Sequence, residues 1–172
     1  MKGAKIVNAI LVNSKEVEYY TFLSPIFKAI NNKQREYNWL ITEPELNWIP
    51  DHFLDYVDQY SSGDRGDRYC LSGNQLTQLV TDHDIQFIWG VLSGFPKDEQ
   101  IDIHDLSVVP CIEGNSRFWE PGNSVQHPKA EIEIVCWDST LTLLISKDQT
   151  VIKDFMNFFK DAKDLDQHNL KN

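Results

Sequence analysis

The sequence predicts an α+β domain, an antiparallel or mixed sheet of about five or six strands with helices packed mainly on one face. Three observations carry this. Short β-branched and aromatic runs recur between turn residues. A few segments instead place apolar residues at helical spacing behind a Ser or Asp cap. The two kinds do not alternate strictly, as a parallel βαβ sheet requires.

In order, Lys5–Val12 (KIVNAILV) reads as an opening strand, approached by Met-Lys-Gly-Ala. Ser24-Pro25 predicts a helix start, with Ser24 as cap and the helix running from Pro25 to about Asn31. Glu36–Thr42 alternates as a half-buried strand, and Pro44 and Pro50 bracket a second extended piece. Asp51 through Tyr60 follows a helical pattern, with Phe53, Leu54 and Val57 on one side. Ser61–Asp67 (SSGDRGD) is the clearest loop.

Arg68–Leu71 then predicts a strand, and Ser72 a cap for a helix over Gly73–Thr81. Asp84–Leu92 (DIQFIWGVL) is apolar on both faces, with Ile85, Phe87 and Trp89 sharing one of them, which suits a central strand. Ser93–Pro128 holds four prolines and reads as irregular, either functional or a covering loop. Ala130–Trp137 and Leu141–Ser146 form a hairpin about Asp138-Ser139-Thr140, with Ile132, Ile134 and Cys136 inward and Glu131 and Glu133 outward. Asp148 caps a last helix to about Phe159, and residues 160–172 read as a polar tail.

The 172 residues suit a single domain that buries roughly 70% of the surface its unfolded chain exposes. No apolar run approaches the length of a bilayer span, and the N-terminal run is too short for a signal peptide. A cytoplasmic protein is expected, with no membrane partner. Three cysteines without C-x-x-C spacing, Cys70, Cys111 and Cys136, argue against a disulfide framework or a zinc site.

No phosphate-binding glycine loop, nucleophile elbow or H-E-x-x-H helix occurs. His83 and His104 have carboxylate neighbours that would stabilise an imidazolium, but no nucleophile or oxyanion donor accompanies them. Solvated turn histidines are the better reading, so no catalytic residue, metal or cofactor is expected. Arg65-Gly66-Asp67 is a chance tripeptide. Among five tryptophans, Trp119 stands out because it lies in the irregular stretch, where an aromatic pair with Phe118 would anchor a partner or cover the core.

Charge is the most informative feature. Residues 1–35 hold two acids and six bases, residues 36–105 fourteen acids and three bases, and residues 106–172 ten acids and seven bases. The middle segment therefore carries −11 of a net −10. Asp51, Asp55 and Asp58 fall at i, i+4 and i+7 and would form one stripe on the expected helix, and Asp64, Asp67, Asp98 and Asp102 add to the segment. Such clustering suits a cationic protein partner, whereas direct nucleic-acid binding lacks the basic surface it needs. The bland reading is a solvated polar face.

Two stretches carry a resemblance. Glu131–Asn169 (EIEIVCWDSTLTLLISKDQTVIKDFMNFFKDAKDLDQHN) is similar to the end of small bacterial proteins, several of them like immunity proteins of toxin–immunity systems, including contact-dependent inhibition. Asp84–Pro96 (DIQFIWGVLSGFP) is a second, weaker likeness. The resemblance implies a small acidic protein that binds a cognate toxin domain, frequently a basic nuclease, and it assigns no residues. Asp51, Asp55, Asp58, Asp64, Asp67, Asp98, Asp102 and Trp119 are the expected contacts. The alternatives are an enzyme or small-ligand domain with His104, Arg117 and Trp119 lining a pocket, and a general adaptor.

Overall fold

A computed structural model describes residues 5–17, 19 and 21–172. Met1–Ala4, the approach to the expected first strand, lie outside the described residues, as do Glu18 and Tyr20. The described residues form eight strands: β1 Ala9–Val12, β2 Tyr37–Leu46, β3 Gln59–Gly63, β4 Gly66–Ser72, β5 Phe87–Pro96, β6 Ile132–Trp137, β7 Leu141–Ser146 and β8 Lys163–Asp164. Four α-helices accompany them, α1 Leu23–Ala29, α2 Gly73–Asp82, α3 Gln149–Phe158 and α4 Leu165–Asn169. All eight strands join one antiparallel sheet in the order β3-β4-β2-β5-β6-β7-β1-β8.

The fold is thus α+β, with more strands than the five or six expected. The difference comes from pairing that short sequence windows do not reveal. Ser61–Asp67 is not a free loop but the tip and flanks of a hairpin, in which Gly63 faces Gly66 across Asp64-Arg65. Gly66 takes φ +80, a left-handed conformation that closes so tight a turn without a Cβ penalty. The expected polar tail adds a strand as well. Leu165 N–H donates to the Asn8 carbonyl (2.9 Å), Asp164 caps α4, and Leu165 is fully buried.

Both faces of the sheet are covered, and this sets the side-chain pattern. Leu11, Trp39, Ile41, Leu71, Leu92, Ile134 and Leu144 point to the face where α1, α2 and α3 pack through Ile26, Leu76, Leu79, Ile152 and Phe155. Ile10, Leu40, Cys70, Val91, Val135 and Leu143 point to the opposite face. That second core is closed by Ile103, Ile112, Phe118 and Val125, all from the segment between β5 and β6, and by Leu165 of α4. The irregular stretch therefore serves as a layer of the domain.

This layer is held through side chains, since it has little ladder of its own. Thr42 Oγ1 donates to the Pro110 carbonyl (2.7 Å), and the Gln59 side chain bridges the Ile101 carbonyl and the Ile103 amide (2.7 and 3.1 Å). Glu133, expected to face water, points into this second core and is fully buried. Strand alternation set its face, but that face is a core.

Helix starts follow local chemistry, with one exception. Ser72 and Gln75 form a reciprocal capping box on α2, and Asp148 accepts the Thr150 amide at the start of α3. Ser24 is not a cap. α1 begins at Leu23 behind Phe22 and no side chain caps it; Pro25 fits because the first-turn amides have no helical partner to lose. Among the described residues no helix is long and apolar enough to cross a membrane.

Candidate functional site

The expected helix over Asp51–Tyr60 does not form. His52 adopts a left-handed φ of 60°, a single 3-10 turn covers Phe53–Tyr56, and the chain then extends into β3. A ten-residue helix with like charges at i,i+4 is marginal alone, and here it competes with a full hairpin. Phe53 is the buried residue of this turn, edge-on to Tyr69 at 5.0 Å, while Leu54 is left outside. Asp51, Asp55 and Asp58 are consequently exposed but do not form one helical stripe. Asp55 lies 3.7 Å from the His52 ring, and Asp58 accepts from Gln75 Nε2 (2.7 Å).

The remaining expected contacts fall into separate groups. Burial first, and then the nearby Asp58 and Asp102 carboxylates, push the thiol of Cys70 on β4 up to about 12. Asp58 and Glu99 line a polar cleft there of about 310 Å³, and Asp98 is exposed on the turn after β5. Asp64 sits at the other end of β3, roughly 20 Å away along six extended residues. Asp67 is tied by the Tyr60 and Tyr69 hydroxyls at 3.2 Å each.

Trp119 packs edge-on to Trp137 with ring centroids 5.2 Å apart, and Trp137 in turn lies 5.2 Å from Trp89. Trp89 reaches this cluster because two register shifts interrupt the β2–β5 ladder between Thr42 and Leu46. Phe87 stays in the helix-side core while Trp89 turns to the opposite face, against the alternation expected of this strand.

The bulge also opens a groove of about 920 Å³ at the ends of β2, β5 and β6. Trp89 and Trp137 wall it with Pro44 and Ile112, while Glu45, Asp64 and Glu113 rim it with one base, Arg65. Glu43, held at φ 50° in the bulge, accepts the Ile112 and Glu113 amides (2.6 and 3.2 Å) and so fixes the far wall. The Cys111 thiol in that wall is raised by burial and then by Glu43, the opposite of an activated nucleophile.

Sequence reasoning missed this groove. Its one local trace is Glu43-Pro44, a proline that cannot donate to the ladder within an otherwise strand-like run. His104, Arg117 and Trp119, the expected pocket lining, line neither this groove nor the polar cleft. His83 is engaged with the Tyr56 hydroxyl at 3.2 Å, which also donates to Asp82 (2.7 Å).

Beneath the covering layer lies a buried polar group. Glu133 accepts the Gln126 amide and its Nε2 (3.0 and 3.1 Å), and Gln126 Oε1 accepts the Cys111 amide (2.8 Å). Burial raises the Glu133 carboxyl to about 7, only partly opposed by the Gln126 hydrogen bonds. His127 is nearly enclosed against Phe95 (4.9 Å), and burial, with Lys129 next, lowers its pKa. Among the described residues no group of three or more His, Cys, Asp or Glu is arranged to hold a metal ion. In comparison with known proteins the chain matches no family model, no curated protein and no solved structure.

Proposed function

We propose that this protein is a non-catalytic binding protein that engages a basic protein partner through its acidic half, in the manner of a cytoplasmic immunity protein blocking a cognate, nuclease-type toxin domain. One observation carries the reading. The four contiguous strands β3-β4-β2-β5 all come from residues 36–105, the segment with fourteen acids and three bases. The rest of the chain has twelve acids and thirteen bases. Strand order thus converts a charge asymmetry in sequence into one in space, and a surface of one sign accelerates encounter with a partner of the other.

The partner would be occluded, with no bond made or broken by this chain. Asp51, Asp55, Asp58, Asp98 and Asp102 are exposed and supply the long-range attraction, while Asp67, held by two tyrosines, contributes less. The likeness of Glu131–Asn169 to immunity proteins supports the same reading from another part of the chain.

Co-expression with the product of the adjacent gene, purified across a range of salt concentrations, tests this. The expected result is a stable complex in which the partner's activity is blocked and whose association slows with salt. Asp51→Asn/Asp55→Asn/Asp58→Asn should slow association by about tenfold and flatten that dependence. Unchanged association and salt dependence in the triple variant would leave these residues as a solvated face only.

A further inference from the structure

We infer that the groove walled by Trp89 and Trp137 receives an arginine or lysine side chain from an extended basic segment of the partner. The inference rests on the proposal that the partner is a basic protein, and it adds where that partner inserts. Both tryptophans are half-buried and line the groove, so each keeps part of its indole surface exposed there. An indole face attracts cations, and the apolar stem of an arginine or lysine gains by lying along it.

The rim supplies charge complementarity. Glu45 stands opposite Trp89 in the β2–β5 register, Glu113 projects from the covering layer and Asp64 from the hairpin tip. All three are exposed. Arg65 is the single base of the lining, and no ion pair binds it among the described residues. An anionic ligand would be repelled here, and a neutral apolar one would take water from the carboxylates without replacing it. At about 920 Å³ the space exceeds one side chain and suits several residues of peptide.

The groove is also preformed. Glu43 anchors its far wall from β2, and buried Glu133 anchors the same wall from β6 through Gln126 and Cys111. A wall fixed from two strands spares a ligand the cost of ordering it.

The test titrates the full chain with an amide-capped tetra-arginine peptide, with tetra-lysine and tetra-glutamate alongside, and follows the five tryptophan indole N–H signals by NMR. Saturable shifts are expected at Trp89 and Trp137 with both cationic peptides, none at Trp48 and none with tetra-glutamate. Glu45→Gln/Glu113→Gln, two exposed isosteric changes that leave the unfolding temperature unchanged, should weaken tetra-arginine binding about five- to tenfold. Asp51→Asn/Asp55→Asn/Asp58→Asn should leave the Trp89 and Trp137 shifts in place. Equal affinity in the Glu45/Glu113 variant, shifts confined to the β3 side, or no saturable binding overturns the inference. If a basic partner binds regardless of Glu45 and Glu113, the groove assignment fails and the partner proposal stands. If tetra-arginine binds the groove but no basic protein binds the chain, the partner proposal fails instead.

Discussion

Glu133 on β6 lies directly opposite Ser93 on β5, and both side chains are sealed beneath the layer that connects those two strands. The glutamate has two hydrogen bonds from Gln126, whereas the Ser93 hydroxyl finds no partner among the described residues. A carboxylate is therefore kept in a core where burial favours its neutral form.

That placement makes stability depend on pH. Burial holds the Glu133 carboxyl at about 7 when folded, against 4.5 for the free group, so the folded chain binds this proton more tightly than the unfolded chain. The stabilisation from Glu133 protonation is therefore complete below about 4.5 and is lost as pH rises through about 7. The difference amounts to about 3 kcal/mol at most. Glu133→Gln removes the titration. Denaturant unfolding of both proteins from about pH 5 to about pH 8 should show the variant gaining on the parent as pH rises, and parallel curves would show that Glu133 does not titrate in this window.

Leu165 and Asn169 decide whether the last residues are part of the domain. Leu165 is fully buried in the second core, and Asn169 Nδ2 donates to the Phe118 carbonyl (3.1 Å). Leu165→Ala should destabilise by about 3 kcal/mol, in the range of a buried leucine truncation. Asn169→Ala should cost about 1 kcal/mol. Changes in a frayed tail would stay within about 0.5 kcal/mol, so thermal unfolding separates the two cases.

The sequence showed the helix caps at Ser72 and Asp148 and the hairpin at Asp138-Ser139, because each depends on residues within a few positions. Asp138 and Ser139 both take positive φ, as so tight a hairpin needs, and the Thr140 amide closes onto the Trp137 carbonyl. Long-range pairing was not legible. Nothing near Asp51–Tyr60 announces that β4 will take Gln59–Gly63 as a partner, and nothing near Glu133 announces a second core over its face. The acidic segment was visible as composition, but its collection into one half of the sheet is a property of strand order. The Trp89–Trp137 groove was hidden for the same reason, since its walls come from four separate stretches.

Gly73 opens α2 where a side chain would collide with the backbone. A Cβ there would be driven into the Gln34 carbonyl oxygen and against Arg35 Cα at 2.7 Å. Glycine to alanine within a helix ordinarily gains up to about 1 kcal/mol from propensity. Here the neighbour is backbone of the 3-10 turn Lys33–Glu36, which the Trp39 indole also holds through the Gln34 carbonyl (2.9 Å). Gly73→Ala should therefore destabilise by about 2 kcal/mol or more. A neutral or stabilising result by calorimetry would mean that the turn and helix separate easily.

Glu43 combines two effects that substitutions can separate. Its φ of 50° costs a residue bearing a Cβ about 1–2 kcal/mol, and its carboxylate satisfies the Ile112 and Glu113 amides. Glu43→Ala keeps the strain and removes the acceptor, so it should be the worst variant, losing about 1–3 kcal/mol. Glu43→Gly also removes the acceptor but relieves the backbone, and should recover about 1 kcal/mol relative to alanine. Glu43→Gln retains one acceptor oxygen and should stay closest to the parent. Hydrogen exchange at the Ile112 and Glu113 amides should rise in the alanine and glycine variants alike. If exchange there is unchanged, the carboxylate does not hold the groove wall; if glycine is no better than alanine, the bulge stores no strain at this residue.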